Sequence, residues 1–116
     1  MSRIIIEACS SDVAEKSVIN LLNGGFVAET ARISYNLNQG LPALEEADNY
    51  PLILEGKFGY YSMNVLVYSV TAGYGGTGPH AMVHILKVAG FKFDEADILT
   101  NKRANYNGQI DLLYKR

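Results

Sequence analysis

The sequence predicts a single α+β domain, a mainly antiparallel sheet carrying two principal helices. Three observations predict it. The chain has 116 residues, within the ~100–150 that one domain usually takes. Its 48% hydrophobic content suits a packed core and is too high for a disordered chain. Two segments repeat apolar residues at the helical period and end at glycine, while most of the remainder alternates as strands do.

Residues 3–9 read as a strand, because three consecutive β-branched isoleucines suit a sheet. Ser10, Ser11 and Asp12 then offer N-cap oxygens, and Asp12 with Glu15 has capping-box spacing. Ala14, Val18, Leu21 and Leu22 share one face of the helix that follows, and Gly24-Gly25 ends it. Residues 26–37 read as one strand with a bulge near Thr30-Ala31. Asn38-Gln39-Gly40 is a turn, and residues 41–49 are a short helical piece or ordered loop with Glu45 and Glu46 on its wet side. Leu52-Ile53-Leu54 is a strand, and the two glycines of residues 55–59 signal a hairpin. The return strand over residues 60–70 is apolar on both faces from Val65 onward and is therefore central. Residues 80–89 form the second helix, with Pro79 at its first position and Gly90 closing it. Residues 94–97 are a solvated acidic turn or a short helical start, Asn105-Tyr106-Asn107-Gly108 is another turn, and residues 109–114 are the last strand.

Composition excludes several function classes. A net charge of −2 lacks the basic excess that a nucleic-acid polymer demands. No apolar run reaches the ~18 residues of a membrane helix; the best, residues 63–70, is strand-sized. A carboxylate at Glu7 interrupts the first apolar run too early for a signal peptide, and the lone Cys9 closes no disulfide within the chain. The expectation is a soluble cytoplasmic protein with Cys9 as a buried, inert thiol. Basic residues gather at the end, where Lys102, Arg103, Lys115 and Arg116 face only Asp111, a local excess suited to a small anion.

The most informative feature is the loop 71–79, in which Gly73, Gly75, Gly76 and Gly78 lie between a strand and a helix. Glycines admit positive φ and let a ligand reach main-chain N–H groups. The helix N-terminus adds unpaired donors and partial positive charge, so phosphate is its natural guest. Amides of Gly75, Gly76 and Gly78 would hold the phosphate, Thr71 and Thr77 would donate hydroxyls, and Tyr74 would stack on a base. His80 could donate to the phosphate from the first turn, and Arg103 or Arg32 would complete the charge. Gly73-x-Gly75-x-x-Gly78 formally matches a dinucleotide fingerprint, but no strand ending in an acidic residue follows at the required distance. No lysine follows Gly78, which excludes a P-loop. The plain alternative is a tight turn that lets the helix pack on its sheet.

His80 and His84 have the i, i+4 spacing of a metal pair, but Ala81 stands where a zincin has glutamate, and the other ligands are missing. No acid–base pair or nucleophile pattern supports catalysis, and no cofactor is implied. Eight tyrosines and no tryptophan give an amphipathic aromatic set suited to ligands or interfaces.

Gly73-Tyr74-Gly75-Gly76-Thr77-Gly78-Pro79, followed by an apolar helix ending Ala89-Gly90-Phe91, resembles a pattern of small phage proteins, the Thoeris anti-defence type 1 sponges. The resemblance covers about residues 65–91 and carries over no functional residue. It implies a phage protein in the host bacterial cytoplasm, a homo-oligomer with ligand pockets between protomers, which sequesters a cyclic nucleotide immune signal without cleaving it. Two other classes stay open: a protein-interaction module that inhibits a host enzyme through its tyrosines, and a small enzyme acting on a phosphorylated substrate through His80 or Cys9.

Overall fold

The computed structural model describes residues 2–8, 10–38 and 50–116. The expectations for Cys9 and for residues 39–49 lie outside them. The element order is β1 (Ser2–Ile6), α1 (Ser11–Asn23), β2 (Phe26–Asn36), β3 (Leu52–Phe58), β4 (Tyr61–Val67), α2 (Thr77–Ala89), α3 (Ala96–Leu99) and β5 (Gln109–Lys115). The strands form one sheet in the order β1-β4-β3-β2-β5, antiparallel throughout except where β1 runs parallel to β4. It is the α+β fold the sequence predicts.

Strand alternation decides which face is covered. Ala31, Ile33, Leu52, Leu54, Val65, Val67, Ile110 and Leu112 are buried, and with Ala14 and Val18 of α1 and Met82, Ile85 and Leu86 of α2 they form one core. The two long helices therefore cover the same face of the sheet. The intervening residues on the other face include Ile5, Val27 and Leu113, all exposed. β4 lies inside the sheet, and Val65, Leu66 and Val67 are all buried, as a central strand requires.

The bulge in β2 falls between Ala28 and Thr30, one residue before the expected place. Gly56 of β3 sits against it: a Cβ there would fall on the carbonyl oxygen of Val27, with Ala28 Cα at 2.9 Å. Only glycine lets β3 approach the bulged strand. The hairpin turn is also later than expected, because β3 continues through residues 55–58 and reverses at Gly59, whose φ is +58°.

The start of α1 follows the sequence reading except for its capping box, and the start of α2 differs from it. Ser10 caps α1, its Oγ accepting the Val13 N–H at 3.3 Å; Asp12 instead pairs with Lys16. The capping box is absent because Asp12 already lies inside the first turn. α2 begins at Thr77, three residues before the expected start, with Gly76 as its N-cap. Pro79 fits inside that turn because the first four N–H groups of a helix have no internal partner to lose. Its end follows expectation: Gly90 has φ +90°, Phe91 N–H bonds Leu86 C=O and Gly90 N–H bonds Lys87 C=O, a Schellman closure.

The acidic turn over residues 94–97 is only partly solvated. Asp97 is buried, with its carboxylate held by Arg103 at 3.1 Å, the Tyr114 hydroxyl at 3.0 Å and Lys102 at 3.4 Å. Burial and the Asp97 bond together push the Tyr114 phenol well above its ordinary value.

Candidate functional site

The parallel pair β1–β4 decides where the two helices start. Each strand is followed by a helix, so both helices begin at the same edge of the sheet, beyond the carboxyl ends of β1 and β4. The connecting loops are tied together there: Ser69 Oγ donates to the Ala8 carbonyl, and Tyr68 N–H donates to Ile6 C=O at 3.0 Å. α1 and α2 lie against each other, and a crevice of about 230 Å³ opens between their first turns. Ser11, Asp12 and Glu15 line it from α1, and Thr77, His80 and Ala81 from α2. The carboxyl edge of parallel strands is where open α/β sheets place their ligands.

The glycine loop leads into α2 beside this crevice, with its amides in two groups. Gly73 has φ +100° and donates to Ile98 C=O at 2.7 Å; a Cβ on it would meet Ile110 and Leu37 at 2.6 and 2.7 Å. That part of the loop is a structural turn. By contrast, the N–H groups of Gly75, Gly76, Thr77 and Gly78 have no acceptor among the described residues. His80 N–H already makes the first helical bond, to Gly76 C=O at 3.1 Å. Gly78 is buried against Thr71, so the donors open to an oxyanion at this helix start are those of Gly75, Gly76 and Thr77.

Tyr74 is pinned. Its hydroxyl lies 2.8 Å from Thr71 Oγ1 and interacts electrostatically with the Tyr35 phenol, while its ring folds over Gly76, where a Cβ would come within 2.6 Å. Burial and, after it, the contact with Tyr74 raise the Tyr35 phenol above its usual value. Tyr74 remains 43% exposed, enough to offer a ring face to a ligand.

The histidines go to different partners. His80 Nδ1–H donates to Gly76 C=O at 2.8 Å, since a carbonyl only accepts, and this leaves Nε2 available. His84 Nδ1–H donates to Glu15 Oε1 at 2.6 Å, joining α2 to α1. Among the described residues no group of three or more His, Cys, Asp or Glu side chains is placed to hold a metal.

Of the residues singled out in the sequence, Thr77 and His80 line the crevice, and Tyr74, Gly75, Gly76 and Gly78 form the loop and helix start beside it. The two arginines are elsewhere. Arg103 is engaged with Asp97 and does not line the crevice. Arg32 alternates with the core residues Ala31 and Ile33, so it lies on the helix-free face, paired with Asp111 at 3.5 Å. Ser11, Asp12 and Glu15 were missed by sequence reasoning. Their signal was the second helix start, which local patterns identify, but its neighbourhood with α2 depends on a pairing 61 residues apart, Ser2 with Met63.

The chain matches none of the protein families, curated proteins or solved structures compared with it. No helix among the described residues is long and apolar enough to cross a membrane.

Proposed function

We propose that this protein binds a small phosphorylated nucleotide in the crevice between α1 and α2 and releases it intact. The observation that carries this reading is the set of three accessible amides without an acceptor among the described residues, those of Gly75, Gly76 and Thr77, at a helix start that faces a second helix start across the crevice. Phosphate takes the amides and the partial positive charge of α2. Asp12 and Glu15 repel a bare anion, but they accept hydrogen bonds from hydroxyl and amino groups. A ligand with phosphate at one end and such donors at the other suits both walls. Among the described residues that line the crevice, no hydrogen bond pairs a nucleophile with a base. The likeness of residues 65–91 to the phage sponges makes cyclic nucleotides the first ligands to test, and sequestering an immune signal the role to test them in.

Calorimetry and native mass spectrometry with a panel of cyclic nucleotides, the matching nucleosides and inorganic phosphate provide the test. The expected result is nucleotide binding, weaker or no binding of nucleoside and of phosphate alone, and unchanged ligand recovered after heat denaturation. A panel in which no nucleotide binds overturns the reading; recovery of a cleaved ligand replaces the binder with an enzyme.

A second reading has its own observation. Tyr60 is 101% and Tyr61 75% exposed at the β3–β4 turn, the opposite end of β4 from the glycine loop. Exposed tyrosines suit a protein interface. Loss of a captured partner on Tyr60→Ala with Tyr61→Ala, at unchanged nucleotide affinity, would mark that end as the functional one.

A further inference from the structure

β5 is the last strand of the sheet, and its outer edge is the feature that the crevice leaves unused. The direction of its backbone groups follows from two bonds. Gly108 C=O accepts from Leu37 N–H at 2.8 Å, and Arg116 N–H donates to Glu29 C=O at 3.0 Å. Alternation between these two places Ile110, Leu112 and Tyr114 toward β2, and Gln109, Asp111, Leu113 and Lys115 outward. Gln109 is already closed, donating to Asn105 Oδ1 and accepting from Asn105 N–H, each at 3.0 Å. The N–H and C=O groups of Asp111, Leu113 and Lys115 have no partner among the described residues. Their side chains lie on the helix-free face, and Leu113 is 58% exposed.

From this edge we infer that two copies of the chain associate through β5, antiparallel about a two-fold axis at Leu113. In that register each Asp111 stands opposite the second copy's Lys115, and Leu113 opposite the second copy's Leu113. All three positions have outward amides, so every opposed pair exchanges two backbone hydrogen bonds. Opposite charges meet twice, and the exposed leucines cover each other. Shifting the axis to Leu112 would set Lys115 against Gln109, whose amide and carbonyl are already occupied. A half-step would oppose outward groups to inward ones. The free groups and the charges thus select one register, and the occupant they fit is the same strand. The two five-stranded sheets then run on as one.

Sedimentation velocity over a concentration series tests this, with calorimetric melting as the check that each variant is folded. The expected species is a dimer of the 12.7 kDa chain. Leu113→Pro removes only an outward N–H, a position where an edge strand tolerates proline, and is expected to give a folded monomer. Asp111→Lys and Lys115→Asp each turn two attractive pairs into repulsive ones and should weaken association about tenfold, while the double exchange restores it. Raised salt should weaken the wild-type dimer and have the same effect on the double exchange. A wild-type chain that stays monomeric at about 1 mM overturns the inference. So does a dimer that a folded Leu113→Pro variant or both single charge reversals leave unchanged.

Discussion

Replacing Gly78 by alanine tests the geometry that presents the loop amides. A Cβ on Gly78 falls on Thr71 Oγ1 and lies 3.2 Å from Thr71 Cβ and 3.4 Å from Thr71 N. The first contact forces Thr71 to rotate, which breaks its 2.8 Å hydrogen bond to the Tyr74 hydroxyl, a loss of about 1 kcal/mol. The other two are tighter than relaxed packing allows and add about 1–3 kcal/mol. Against this stands the better helix propensity of alanine, up to about 1 kcal/mol. The net expectation is destabilisation by about 1–4 kcal/mol, read from urea unfolding followed by circular dichroism. In a Thr71→Ala background the hydroxyl is gone, so the same substitution should cost about 1 kcal/mol less. Equal costs in the two backgrounds, or no loss in either, would refute the close seating of α2 on Thr71. Nucleotide affinity should fall with Gly78→Ala as well, because the displaced helix start carries the donors.

Gly56→Ala should cost about 3 kcal/mol or more in the same unfolding assay, since the clash is with the backbone of Val27 and Ala28 and no side chain can yield. Arg103→Ala removes one partner of the nearly buried Asp97 carboxylate; a stability loss of about 1 kcal/mol with unchanged nucleotide affinity by calorimetry is expected, and a large affinity loss would return Arg103 to the site. Tyr114 has its phenol pKa raised in the fold, so its contribution is complete below the ordinary value of 10.0 and is lost as pH climbs beyond it; Tyr114→Phe should flatten the alkaline limb of a stability–pH curve. Asp94 is shifted the other way by Lys102 and the Ala96 N–H, so its contribution is present above 3.8 and fades as pH falls; Asp94→Asn should remove that acid-side change.

Most of the fold is legible because its signals are local. The isoleucines of β1, the Ser10 cap, the Gly90 closure and the alternation of β4 each state an element through nearest neighbours in the chain. The misplacements share a cause. Tertiary contact extended β3 past Gly56 because the bulge in β2 needed a residue without a side chain, and α2 absorbed Gly78 because Thr71 left room for nothing larger. The candidate site was half legible. Glycines 75, 76 and 78 and Thr77 mark the start of α2, but the α1 wall appears only once β1 pairs with β4. Charge misled the reading of Arg32 and Arg103: composition reveals a guanidinium, while only alternation along β2 and the burial of Asp97 reveal where it is committed.

The β1–β4 pairing also bears on the order of folding. It joins the first strand to a partner some sixty residues away, whereas β2 with β3 and β3 with β4 close much shorter spans. Contacts of long sequence separation form last, because chain-closure entropy must be overcome before they are rewarded. A nascent or partly refolded chain would therefore hold its antiparallel hairpins before α1 docks beside α2. The crevice between α1 and α2 should therefore close after the hairpins, and β5, whose pairing with β2 spans 73–85 residues, should dock later still.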